Sequence, residues 1–420
     1  MSTSSRRAPL RVLAHGDFRR FLIARLLATL AAQMQTVAVG WQIYAITRDP
    51  LDLGLIGLSQ FLPFVVLILP AGQAADHYDR RRLLTACYAL EAFCALLLLV
   101  FTLTEVRVAW PVFAAMTLLG CARAFSMPSG QALLPNLVPR EEFTRAVALN
   151  SSVFQVATVV GPALGGVLYL AGPLIVYASV LTLALIGALL MLRVRAGARE
   201  ETSVREPMSL ETLLSGLRFV RSKPVVFGAI SLDLFAVFFG GVTALLPIYA
   251  SDILRVGPSG LGLLRTAPGI GAGLCALVLA LRPITRHIGP WMFGGVAMFG
   301  VAVVVFGLST SFFVSLIALI LLGAADMVSV YVRHLLVQLE TPDHIRGRVS
   351  AVSAVFIGAS NELGDFESGI TAKWWGTVRA TVIGGLATLV VTGLWARWFP
   401  MLWKMDRLPK PAREADERDG

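Results

Sequence analysis

Apolar runs of about twenty residues follow one another along nearly the whole chain, and this pattern limits the possible folds more than any other feature. A helix needs about 20 mostly apolar residues to cross a bilayer. Twelve such runs are present, at roughly 18–47, 51–75, 83–104, 108–134, 146–171, 173–192, 224–250, 258–281, 290–309, 311–336, 349–371 and 376–400. The chain is 56% hydrophobic and 15% charged, where a soluble domain is about 25% charged. That excludes a disordered chain, which has too little apolar surface to bury. It also excludes a soluble globule, which would expose too much of it. The expected fold is an all-α membrane protein with twelve transmembrane helices in two six-helix bundles.

The basic residues give the orientation. Of 36 Lys and Arg, 27 fall in the termini and the loops on their side of the membrane, 5 in the alternate loops and 4 inside helices. The excess marks the cytoplasmic side, so both termini are expected there. The net charge of +10 is then a topology signal, and nucleic acid is not an expected partner. Met1 to Arg20 holds no short apolar core followed by a small-residue cleavage site, so the first helix reads as the insertion signal. Cys87, Cys94, Cys121 and Cys275 lie in apolar stretches without metal-ligand spacing and read as packing residues.

The stretch 195–223 carries most of the mid-length charge. It reads as a cytoplasmic linker with a short amphipathic helix near 208–222. Residues 401–420 read as a charged cytoplasmic tail. The two bundles then occupy 1–194 and 224–400, and they repeat each other. An offset of 203 places Leu118-Leu119-Gly120 on Leu321-Leu322-Gly323, Pro139 on Pro342, Arg145 on Arg348, Gly161 on Gly364 and Gly166 on Gly369. An offset of 205 places Ile43-Tyr44-Ala45 on Ile248-Tyr249-Ala250, Gly57 on Gly262 and Pro63 on Pro268. Halves repeated in the same orientation imply a pseudo-two-fold along the membrane normal, with a site at their interface.

Between the second and third runs stands Gly72-Gln-Ala-Ala-Asp76-His77-Tyr-Asp79-Arg80-Arg81-Arg82. It resembles the signature loop of the major facilitator superfamily, in which Gly, three residues, Asp and a basic residue precede a Gly followed by basic residues. His77 and Asp79 depart from that pattern. The resemblance implies a gating loop. Gly72 would permit close packing, Asp76 would accept hydrogen bonds from a helix N-terminus, and Arg80 and Arg81 would pair with it or with lipid phosphate. Ala157, Gly161-Pro162 and Gly165-Gly166 resemble the antiporter motif of the same family, with Ala157 where Gly is usual. Gly and Pro bend a helix and let another backbone approach; the resemblance implies export. Phe18-Arg19-Arg20-Phe21 to Arg25, Val37 to Gln42, Arg123 to Gln131 and Arg346-Gly347-Arg348 resemble the enterobactin-exporter-like branch, which implies a siderophore or another amphiphilic substrate.

Charges inside membrane helices are costly and mark candidate functional sites. The 203-residue offset sets Arg123 on Asp326. The resemblance implies that their helices face each other across a cavity, so the two are expected to pair in one state of the cycle. Asn361, Glu362 and Asp365 fall near one face of a helix, where i+3 and i+4 positions are neighbours, and Glu367 follows. Neighbouring carboxylates away from water readily share a proton. These residues, with Arg25, are the expected coupling groups. Gln33, Gln42, Gln60, Gln155, Asp233 and Arg265 are candidate cavity residues, interhelical bonds being the other reading of the glutamines. Glu91 reads as structural.

No phosphate-binding Gly-rich loop, zinc-binding helix or nucleophile elbow is present. Enzymatic activity, a cofactor and a bound metal are therefore not expected. The expected function is proton-coupled export of an amphiphilic small molecule by alternating access. Uptake, a lipid flippase and a non-transporting sensor remain as alternatives. The expected partners are substrate, protons and membrane lipids, for a monomer in a bacterial inner membrane.

Overall fold

A computed structural model describes residues 11–104, 108–195, 210–342 and 345–407. Residues 196–209 of the linker and 408–420 of the tail lie outside these residues. The helices are α1 (Gly16–Thr47), α2 (Pro50–His77), α3 (Arg80–Leu103), α4 (Trp110–Leu133), α5 (Phe143–Tyr169), α6 (Pro173–Leu192), α7 (Leu210–Ser222) and α8 (Pro224–Phe239). They continue with α9 (Leu246–Ile248), α10 (Gly257–Leu281), α11 (Ile288–Leu308), α12 (Phe312–Glu340), α13 (Arg346–Trp375), α14 (Thr377–Trp398) and α15 (Pro400–Trp403). No strand occurs among the described residues.

Eleven described segments are long and apolar enough to cross a membrane. The twelfth expected run lies in α13. At 30 residues α13 is long enough, but it carries Glu362, Asp365 and Glu367 in its length. The expected run 224–250 is broken. α8 ends at Phe239, Gly240-Gly241 follow, and α9 and a π-turn at Tyr249–Ile253 complete the segment. A Cβ at Gly241 would meet the Gly364 backbone at 3.0 Å, and Pro247 offers no backbone N–H.

The chain forms two compact units, the first Met1–Thr47 with Ser59–Met208 and the second Arg48–Leu58 with Ser209–Gly420. In the first, α1 packs on α5 and α6, and α3 packs on α4 and α6. Phe18, Phe21, Leu84, Tyr88, Leu133 and Met191 fill one core region between these helices. Gln42 ties three helices together: its Nε2 donates to Thr102 Oγ1 at 3.0 Å, and the Tyr177 hydroxyl donates to its Oε1 at 2.6 Å. In the second unit, α12 packs on α10 and α11, α14 packs on α11, and α8 packs on α13 and α14. Met292, Phe293, Leu336, Trp395 and Leu402 belong to its core. The short α7 packs on α13 and α8.

The repeat seen in the sequence has local geometry behind it in each unit. Gly172, before α6, has φ 104°, and Gly376, before α14, has φ 86°; both conformations favour glycine. A side chain at Gly120 on α4 would collide with the Gln60 backbone and Pro63 of α2, and one at Gly323 on α12 would collide with the Pro268 backbone of α10. The same pair of helices in each unit is thus held at backbone contact beside a proline.

Candidate functional site

The glycines of α5 form a seam with α1. A Cβ at Gly161 would sit 2.5 Å from the Cβ of Gln33, and one at Gly165 would sit 2.9 Å from the Cα of Met34. Gly166 and Pro162 are buried in the same stretch. Gln33 is therefore the residue under Gly161, and the seam leaves no room for a larger residue.

Arg25 is held by α1 against α4 and α5. Its guanidinium carbon lies 5.9 Å from the centre of the Phe154 ring, within cation–π range. A Cβ at Gly130 would approach its Nη1 to 3.1 Å. Its Nε is buried without a hydrogen-bond partner. Arg123, three residues after Gly120, is exposed and lies 5.9 Å from the Phe64 ring centre. Gln60 contacts the Met116 sulfur at 3.6 Å, and Gln155 is exposed on α5. Both polar atoms of Gln42 are engaged by neighbouring helices, which makes it a strut between them.

The loop before α3 is built on Asp79. Its carboxylate caps the helix, accepting from the backbone N–H of Arg81 and Arg82. A helix N-terminus favours such a carboxylate, which accounts for an Asp where the superfamily pattern has Gly. Arg80 donates to the carbonyls of Ala75 at 3.0 Å and Ala132 at 3.3 Å, and Arg81 donates to the Val194 carbonyl at 2.9 Å. The two arginines thus tie the loop to the ends of α4 and α6. Gly72 is buried; the Asp76 side chain lies outside the described residues.

The second unit gathers most of the embedded charge. The backbone N–H of Ala244 donates to Asp365 Oδ1 at 3.2 Å. A Cβ at Gly57 would lie 2.9 Å from Glu362 Oε2 and 3.8 Å from the Asp365 Cβ, so these two carboxylates pack beneath the start of α2. Arg265 on α10 lies within electrostatic reach of Asp365, and its Nε is buried without a partner. Asn361 does not join the group: it is exposed, and its amide donates to the Ile357 carbonyl of its own helix at 2.8 Å. Glu367 is half-buried further along α13.

A second group lies between α8 and α12. Asp233 and Arg333 form an ion pair with side chains 6% and 5% exposed. Asp233, Asp326 and Ser329 line one small cavity. Arg333 is one of the four basic residues that the sequence places inside helices. The available signal was its spacing: seven residues after Asp326, two turns along the same helix face.

Spanning helices in both units, a close α1–α5 glycine seam and ionisable side chains within the spans describe a multi-pass membrane protein with charge buried in its helices. Residues 4–414 match the family described as transmembrane secretion effector, and the chain belongs to that family. It is 29% identical over 430 residues to the multidrug efflux pump Tap of Mycolicibacterium fortuitum, covering 97% of this chain and 100% of that one. It is 26% identical over 383 residues to the enterobactin exporter EntS of Citrobacter koseri, covering 90% of this chain and 86% of that one. In fold it is similar to a bacterial homologue of the human lysosomal transporter Spinster, with a TM-score of 0.72 at 14% identity, over 92% of this chain and 96% of that one.

Proposed function

We propose that this chain exports an amphiphilic small molecule of the siderophore or drug class in exchange for protons. One observation carries the reading: Glu362 and Asp365 share one patch under Gly57, and Arg265 lies in reach of Asp365. Two carboxylates held together away from water favour sharing a proton. A cation near one of them gives that proton a competitor. Arg123, Asp326 and Arg25 are further coupling or substrate groups in this reading, and Asp233 and Gln33 are cavity groups. The names of the Tap and EntS relatives support export and the substrate class.

The chain would lie in a bacterial inner membrane as a monomer. Both termini would be cytoplasmic, as the 27 to 5 division of Lys and Arg supports. Twelve crossings would then include α13. The test is transport by the purified chain in proteoliposomes, with and without a pH gradient, against siderophores, cationic drugs and lysolipids. Gradient-driven flux of a siderophore or drug is expected. Movement of lysolipid alone would replace this reading with that of a flippase.

A further inference from the structure

We propose that Asp233, Asp326, Ser329 and Arg333 form a site for one monovalent cation, a proton or a sodium ion, in the second unit. The proposal rests on the export reading in one respect: this cation would be a second coupling ion, beside the proton of the α13 carboxylates.

Charge and space lead to it. Asp326, Ser329 and Arg333 follow each other at spacings of three and four residues along α12, and so share one face. Asp233 reaches the same face from α8 and pairs with Arg333. Asp326 has no hydrogen bond or ion pair among the described residues. The rest of the cavity wall is apolar, with Ala236 and Val237 from α8 and Val296 and Phe299 from α11. Two carboxylates and one guanidinium leave a net charge of −1. Asp326 is part-buried, and a carboxylate without a partner against an apolar wall is unfavourable. One monovalent cation brings the group to neutrality, whereas a divalent ion would leave it at +1.

Size selects the same class of ligand. The cavity measures about 10 Å³, which is room for one water-sized occupant and not for the amine of an amphiphile. Ser329 supplies the second observation. It is 2% exposed, it lines the cavity, and its hydroxyl has no partner. A buried hydroxyl in that state lacks a hydrogen bond that nearly all such groups make. With a sodium ion, Ser329 Oγ and the Asp326 carboxylate would be hard oxygen ligands of the kind such ions take. With a proton, Asp326 would become a neutral acid whose O–H donates to Ser329 Oγ or to Asp233.

The experiment uses the full purified chain in lipid nanodiscs with no transported molecule present. Radioactive sodium binding and potentiometric proton titration are read on the wild type, Asp326→Asn and Ser329→Ala. The expected result is one cation equivalent held at about pH 7 that Asp326→Asn loses, as saturable sodium binding or as one proton. Ser329→Ala should bind that cation about tenfold more weakly, the effect of one hydrogen bond to a charged group. Asp326 loses no ion pair on becoming Asn, and a thermal melt checks its fold. Should Asp326→Asn fail to fold, the wild type and Ser329→Ala decide the matter. Equal proton uptake in all folded forms, with no saturable sodium binding, overturns the proposal. Such a failure leaves export standing, and a failed flux assay leaves this site standing.

Discussion

The Lys373 ammonium lies 2.5 Å from the Asp49 carboxylate, joining the end of α13 to the turn before α2. Arg48 beside it pairs with Asp252 at 3.0 Å. Partial burial pushes Asp49 upward, but Lys373 and the Leu51 amide hold it below the usual carboxylate value. A carboxylate with a lowered folded-state value adds stability above its unfolded value and loses it as pH falls through the folded one. Asp49→Asn should therefore lower the melting temperature at neutral pH, with the difference disappearing in acid. The pair is partly exposed, so the effect should be about 1 kcal/mol or less. Thermal melts of both forms across pH check this; a difference that grows in acid contradicts it.

The α1–α5 seam should resist enlargement. Gly165→Ala places its new atom 2.9 Å from the Met34 Cα, where backbone must shift. Overpacking of this kind costs about 1–3 kcal/mol. The expected outcome is a lower melting temperature and slower transport, with Gly165→Leu losing both fold and flux. A Gly165→Leu variant of wild-type stability would show that the seam is loose.

The Asp233–Arg333 pair should be worth little as a pair and much when broken. Removing one partner leaves a buried charge, at a cost of about 3–5 kcal/mol. Arg333→Leu, which leaves two carboxylates, should melt far below the wild type; Asp233→Ala, which leaves Arg333 on one helix face with Asp326, should lose less, and the double variant should recover much of the Arg333→Leu loss. Additive losses in the double variant would mean that the two side chains do not depend on each other.

Tyr177→Phe should destabilise the first unit by about 1–3 kcal/mol, because it leaves the buried Gln42 Oε1 without its donor. Transport by the folded fraction should be unchanged, since Gln42 acts as a strut. A changed substrate range in Tyr177→Phe, at unchanged stability, would put Gln42 in the cavity instead.

The helices were legible in the sequence because crossing a bilayer demands both length and apolar character. The glycines and prolines of the close helix contacts were legible as well, since Gly120 and Gly323, or Pro63 and Pro268, stand at matching offsets. Partners were harder to read. For Gln42 the interhelical reading holds over the cavity one, but nothing local shows that Thr102 and Tyr177 stand opposite it. Asn361 has the right spacing to join Glu362 and Asp365, yet its amide turns back to its own helix. Arg333 had no visible partner because Asp233 lies a hundred residues earlier. The end of α8 at Gly240-Gly241 was hidden inside an unbroken apolar run, since hydropathy reports burial and not backbone path.

The central claim, coupling through the α13 carboxylates, is tested most directly by proteoliposome flux of Glu362→Gln and Asp365→Asn. The wild type should move substrate faster under an imposed pH gradient. The variants should still exchange substrate across a gradient-free membrane, but gain nothing from the pH gradient. Gradient-driven flux at the wild-type level in both variants would contradict the account.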